Sequence, residues 1–160
     1  MSTIITVGMA DVQTGQGEDI LMTPGLGSCI GICVFDAVKK AGGMAHIMLP
    51  AASGHSEANP AKYADTGLSL LIEQILALGA IKSRLKAKIA GGAQMFAFAN
   101  RPNALRIGDR NAEAVRKELK KMGIPLLVDD TGGSFGRTIY FSVSTGNLRV
   151  RTINHGEKVI

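Results

Sequence analysis

Apolar and polar positions in this chain change over in short bursts, with only two stretches that hold a helical period. Residues 4–9 alternate well enough for a first strand. Residues 11–19, rich in Gly and Gln, read as a loop, and a short strand then ends at Thr23. Apolar runs at 30–35 and 44–49, joined by the polar turn 36–43, predict two adjacent antiparallel strands. The period then lengthens. Asn59 and Pro60 supply a cap and first-turn signal for a helix reaching about Leu78, with Gly79 as its stop. Leu68, Leu71, Ile75 and Leu78 recur at helical spacing, so one face of that helix packs onto a sheet. Residues 85–90 predict a further strand, interrupted by Gly91 and Gly92. Asn111 is expected to cap a second helix over 112–122, with Val115, Leu119 and Met122 inward and Gly123 at its end. A strand at 126–129 and a hairpin built from 138–143 and 147–153 close the pattern, and the last residues are expected to fray.

Many short strands with two helices predict an α+β fold in a single domain, 1–160, with mixed β-sheet layers and the two main helices packed on one side. A chain of this length buries roughly 68–70% of the surface its unfolded form exposes, so neither a disulfide nor a metal is needed for stability. The sequence holds no repeat, linker or low-complexity tract.

Charge changes the picture only slightly. Lys and Arg number 18 against 13 Asp and Glu, a formal charge of +5, which favours acidic partners. Seven basic residues fall between 101 and 121 and could form a patch, but a solvated helix face accounts for them as well. Aromatic residues are 4% of the chain and Trp is absent, so stacking platforms for single-stranded nucleic acid are poorly supplied and no nucleic-acid role is expected. Residues 1–12 lack a basic region ahead of their apolar positions, and no apolar run approaches the ~18 residues of a membrane span. Cys29 and Cys33, four apart on one strand, lie roughly 13 Å apart and cannot pair with each other. Two free thiols in an unexported chain fit the reducing cytoplasm.

The candidate chemistry is concentrated in residues 23–50, TPGLGSCIGICVFDAVKKAGGMAHIMLP. Pro24, Gly25 and Gly27 force a tight turn, and Cys29 stands where that turn hands over to the run 30–35, at the mouth of a strand. His46 lies in the adjacent run, so the hairpin brings thiol and imidazole together as a papain-like Cys/His site at a strand start. A thiol of pKa ~8.5 is only a few per cent thiolate at neutral pH and needs such a base. Backbone N–H groups of Gly27, Ser28 and Cys29 could hold an oxyanion, whereas Pro24 has no N–H to offer. Cys33 shares a face with Cys29 by the period of two and competes for the role; Cys29 is favoured because its turn leaves backbone donors free.

Other chemistries fit less well. Cys29, Cys33 and His46 could ligate a metal with His55 as fourth donor, but Cys-x-x-x-Cys on a strand is poor zinc spacing, and no metal or cofactor is expected. Gly25-x-Gly27 lacks a third glycine, and Gly132, Gly133 and Gly136 are not followed by Lys-Ser or Lys-Thr, so neither is a phosphate loop. Asp129 and Asp130 would point to opposite faces if the strand reaches them, which disfavours a carboxylate dyad. His55 and His155 read as surface residues. Met95 and Phe96, after the two glycines, either contact a partner or substrate or plug the core.

The motif T-x-G-L-G-S-C followed by G-x-M-A-H-x-M-L-P resembles CheD, the chemoreceptor glutamine deamidase family. PAKYAD at 60–65, KIAGGAQMF at 88–96, IGDRN at 107–111 and DTGG at 130–133 extend the resemblance over nearly the whole chain. Between 96 and 108 the chain is several residues longer than the usual pattern, and Arg106 stands where Asn is common. The resemblance implies that Cys29 is the nucleophile, His46 the base, and Thr23 the residue that orients the histidine. It implies a hydrolase acting on glutamines of the cytoplasmic helices of chemoreceptors, with methylesterase as a possible second activity. It also implies a partner, the CheC phosphatase, and with it the alternative of a regulator that acts by binding alone. Membrane association would come only through receptors.

Overall fold

The computed structural model describes residues 3–52, 59–94 and 106–160. Its strands form two five-stranded mixed sheets. The first contains β1 (Ile4–Thr6), β3 (Ile20–Leu26), β8 (Arg137–Ser142), β9 (Leu148–Thr152) and β10 (Gly156–Val159) in that order. The second has the order β2-β5-β4-β6-β7, with β2 (Asp11–Gln16), β5 (Ala41–Ile47), β4 (Ile30–Asp36), β6 (Lys86–Gly91) and β7 (Leu126–Thr131). Each sheet has one parallel pair, β1 with β3 and β6 with β7.

The second sheet is buried on both faces, and its sequence shows it. Every residue of β4 and β5 is buried, so these strands read as continuous apolar runs and not as alternation. Ile30, Ile32 and Val34 belong to the core beneath α1 (Ala64–Ala77) and α2 (Ile107–Lys121), while Cys29, Cys33 and Phe35 belong to the core shared with the first sheet. The order of layers is therefore helices, second sheet, first sheet, in agreement with the expected α+β class and with two helices on one side. Leu68, Leu71, Ile72 and Ile75 of α1 are buried, each side chain stabilising by about 1.5–3 kcal/mol relative to exposure. Gly43 lets that helix approach, since a Cβ there would stand 2.6 Å from Leu71 Cδ1.

Several boundaries differ from those expected. The region 11–19 is not all loop: β2 pairs with β5 along its length, its polar Gln and Thr positions being tolerated on an edge strand. β3 does not stop at Thr23 but continues to Leu26 through a bulge at Pro24 and Gly25. The first helix starts later, because Asn59 caps a single 3-10 turn (Pro60–Lys62) and Tyr63 is extended before α1 begins. Gly79 ends α1 at φ +96°, as expected. The second helix starts five residues earlier than 112, so Asn111 lies inside it and caps nothing. The final residues do not fray; β10 pairs with β9. β7 reaches both aspartates, with Asp129 bound to Arg116 and Asp130 to Arg137 and Lys158.

Candidate active site

His46 lies fully buried between the two sheets, opposite Asp11 on one side and Gly31 on the other. Thr23, also fully buried, comes from the first sheet to meet it. Its Oγ1 is 2.7 Å from His46 Nδ1 and 2.7 Å from Val7 O. A carbonyl oxygen can only accept, so the single hydroxyl proton goes to Val7, and Oγ1 accepts from Nδ1–H. The imidazole is thereby held in the tautomer whose Nε2 carries a lone pair. That Nε2 has no hydrogen-bond partner among the described residues. Burial lowers the pKa of His46 below its ordinary 6.5, more than the nearby Asp11 charge raises it, so the ring is neutral at pH 7.

The structure brings Thr23 and His46 into contact; it does not join Cys29 to His46 by a hydrogen bond. Gly31 is the residue paired with His46; Cys33, two places along β4, lies on a His46 diagonal at about 7–8 Å by strand geometry, and Cys29 lies two places the other way, in the bend just before the strand. Exposure separates the two thiols. Cys33 is 0% exposed inside the ladder, and burial drives its pKa far above the thiol range, with Lys88 offsetting only part of this. Cys29 is 8% exposed, in the bend before β4, and burial raises its pKa from 9.0. Both are free thiols. The resting pair is thus thiol and neutral imidazole.

The bend that carries Cys29 is held through its carbonyls. Gly27 O accepts from Ala93 N at 2.8 Å, Ser28 O from Asn111 Nδ2 at 2.9 Å and Cys29 O from Gly92 N at 2.9 Å. With its carbonyls tied outward, the bend can turn N–H groups toward a ligand. Gly27 N–H is spent within the turn on Gly25 O, so it supports the turn. The N–H groups of Ser28 and Cys29 donate to no described residue. Gly91 must approach this bend closely: a Cβ on it would lie 2.2 Å from Cys29 O, and its φ is +116°.

The 91–94 segment is itself braced. Gly132 N donates to Gly91 O at 3.0 Å and Gln94 N to Gly133 O at 2.9 Å. Arg137, buried in β8, donates to Gly91 O and Gly132 O and pairs with Asp130. Gly108 of α2 abuts the same segment, since a Cβ there would meet Gly92 O and Ala93 O at 2.6 Å. Sequence reasoning missed Asn111 and Arg137 as site supports. Only a polar residue on the inward side of a helix, and an arginine in an apolar alternation, hinted at them. Met95, Phe96 and His55 lie outside the described residues. His155 stacks on Phe135 at the β9–β10 turn and makes no contact with either thiol among the described residues. Among the described residues no group of three or more His, Cys, Asp or Glu could hold a metal ion, and no helix is long and apolar enough to cross a membrane.

These features define an α+β protein with a strand-mouth thiol, largely buried but the more exposed of the two, and a buried, oriented imidazole along one inter-sheet layer. The chain matches the family described as CheD chemotactic sensory transduction over residues 48–152. It is 68% identical over 160 residues to the probable chemoreceptor glutamine deamidase CheD of Desulfitobacterium hafniense (strain DSM 10664 / DCB-2), covering 100% of each chain. It is 51% identical over 162 residues to the chemoreceptor glutamine deamidase CheD of Halalkalibacterium halodurans, again covering 100% of each. The probable chemoreceptor glutamine deamidase CheD of Pyrococcus abyssi is 50% identical over 161 residues, covering 99% of this chain and 98% of that one. The chain belongs to the CheD family, as its motifs suggested.

Proposed function

We propose that the protein is a protein-glutamine glutaminase, an amidohydrolase that converts glutamine side chains on the cytoplasmic helices of chemoreceptors to glutamate. The observation that carries this reading is the Val7–Thr23–His46 hydrogen-bond chain, which leaves Nε2 as an unpartnered base on the strand next to the one that Cys29 opens. The Cys29 proton passes to His46 Nε2 as sulfur bonds to the carboxamide carbon. The N–H groups of Ser28 and Cys29 receive the oxyanion. His46 returns the proton to the amide nitrogen, the C–N bond breaks and ammonia leaves, giving a thioester. His46 then deprotonates a water that attacks the thioester carbon, and the thiol is restored as glutamate departs.

A methyl ester has the same electrophilic carbon, with methanol as the leaving group, so receptor methylesterase activity follows from the same site. CheC is proposed as a partner that competes with receptor, and the cytoplasm as the place of action. The test is to incubate the protein with a receptor cytoplasmic fragment and follow glutamine-to-glutamate conversion by peptide mass spectrometry, with and without CheC. Conversion that CheC suppresses supports the reading. No conversion by folded protein on several receptors, with CheC absent, overturns it in favour of a regulator that only binds.

A further inference from the structure

β4 and β5 pair as far as Ile30 and Ile47 and then part. Beyond that point β5 is drawn away from β4: Met48 N–H and Leu49 N–H both donate to Lys62 O, at 2.7 and 3.0 Å, and Leu49 bridges to Tyr63. One arm of the fork leads to Cys29 and the other comes directly from His46. A single side chain ties the two arms. Asn111 Nδ2 donates to Ser28 O at 2.9 Å and to Met48 O at 3.0 Å. Ser28 immediately precedes Cys29, and Met48 is two residues beyond His46.

The orientation of this amide is unambiguous, because the flipped amide would set Oδ1 against two carbonyl oxygens. Both amide protons are consumed by the tie. Asn111 is fully buried, and its Oδ1 has no partner among the described residues. A buried acceptor without a donor is unfavourable, and an apolar side chain of similar size would avoid it, so packing alone does not account for asparagine here. α2 carries Asn111 within one turn of Gly108, which seats the helix against the 92–93 backbone, so the tie is anchored to the brace of the Cys29 bend.

We infer that Asn111 is a positioning residue that sets the separation of Cys29 from His46 by clamping the fork of β4 and β5. It touches no reacting atom and acts through the carbonyls of Ser28 and Met48. This rests on the proposed roles of Cys29 as nucleophile and His46 as base.

The test uses the full chain with Asn111→Leu, a near-isostere without donors, and Asn111→Asp, the same shape with acceptors turned on the two carbonyls. Folding is checked by circular dichroism. The readouts are kcat and KM on a receptor fragment, and the rate and pH profile of Cys29 alkylation by iodoacetamide, with Cys33 as internal reference. In folded variants kcat falls on the order of ten- to a hundredfold while KM stays within about twofold. Alkylation of Cys29 slows in the wild-type background, whereas in a His46→Ala background the same substitutions change it by less than about twofold, since the coupling is already broken. Wild-type kcat in folded Asn111→Leu overturns the assignment. So does an equal change in alkylation on both backgrounds, or failure of both variants to fold, which would make Asn111 a folding residue only. Alkylation needs no receptor, so the coupling is judged even if Cys29→Ala retains deamidation and the proposed function fails.

Discussion

Replacing Thr23 by Val exchanges one hydroxyl for a methyl and keeps the β-branched shape that β3 requires. The loss is confined to two hydrogen bonds, to Val7 O and from His46 Nδ1, each 2.7 Å long and both buried. Each orphaned buried group costs about 1–3 kcal/mol, so the variant should be less stable by roughly 2–6 kcal/mol. The effect on rate has a separate origin. With no acceptor at Nδ1, either tautomer leaves one buried N–H unpaired, so nothing holds the proton on Nδ1 or fixes the ring, and Nε2 is no longer kept as the free base. A general base contributes about 10²–10⁴-fold, so kcat should fall by around a hundredfold with KM little changed. Thr23→Ser keeps the hydroxyl and should retain most of the activity, losing about 0.8 kcal/mol of stability with its methyl. The assay is receptor-fragment deamidation well below the melting temperature, together with long-range ¹⁵N correlation spectra of His46, which distinguish the two tautomers. A folded Thr23→Val enzyme with kcat within about twofold of wild type, or with its proton still on Nδ1, would refute the reasoning.

The pH dependence follows from the same burial. Activity should fall on the acid side only below the ordinary histidine value of 6.5, and on the alkaline side only above the ordinary thiol value of 9.0, since burial lowers one pKa and raises the other; a kcat/KM profile checks both limbs. For stability, the unfolded chain protonates this histidine near 6.5 while the native chain resists it, so the contribution of neutral His46 is complete above 6.5 and is lost as pH falls from there toward the lower native value. Urea titrations at about pH 7.5 and about pH 5 should show this loss, and His46→Gln should reduce it; an unchanged slope in the variant contradicts the assignment. Gly91→Ala should displace the Cys29 bend, because its Cβ would lie 2.2 Å from Cys29 O at a φ that disfavours side chains. Deamidation should drop by more than about tenfold while circular dichroism shows a folded chain, and activity close to wild type would contradict the bracing role.

How legible the site was depends on what kind of signal each residue leaves. Cys29 at the end of a glycine turn and His46 in the next strand are visible because a hairpin is a local object and its register follows from the turn. Thr23 left no such mark, since its partner is on another sheet, and only the family resemblance pointed to it. β2 was hidden for a related reason: an edge strand with one paired side tolerates Gly15, Gln13 and Gln16, which read as loop. Asn111 misled because asparagine before an alanine-rich helix is an N-cap signal, and only tertiary packing shows it reaching Ser28 and Met48 from inside α2. The motifs around Gly91, Gly108 and Gly132 were recognisable as a family pattern without being intelligible. The structure gives Gly91 and Gly108 a shared physical reason, close backbone approach around the bend that carries the thiol, and gives Gly132 a different one, a φ of +94° with its N–H donated to Gly91 O.

The central claim is that one thiol, Cys29, deamidates receptor glutamine with His46 as its base. The most direct measurement is peptide mass spectrometry of a receptor cytoplasmic fragment after incubation with wild-type protein, Cys29→Ala, Cys33→Ala and His46→Ala in parallel. The account predicts glutamine-to-glutamate conversion by wild type and Cys33→Ala, and none above background by Cys29→Ala or His46→Ala. Conversion that survives Cys29→Ala, or that disappears with Cys33→Ala in a folded chain, would contradict it.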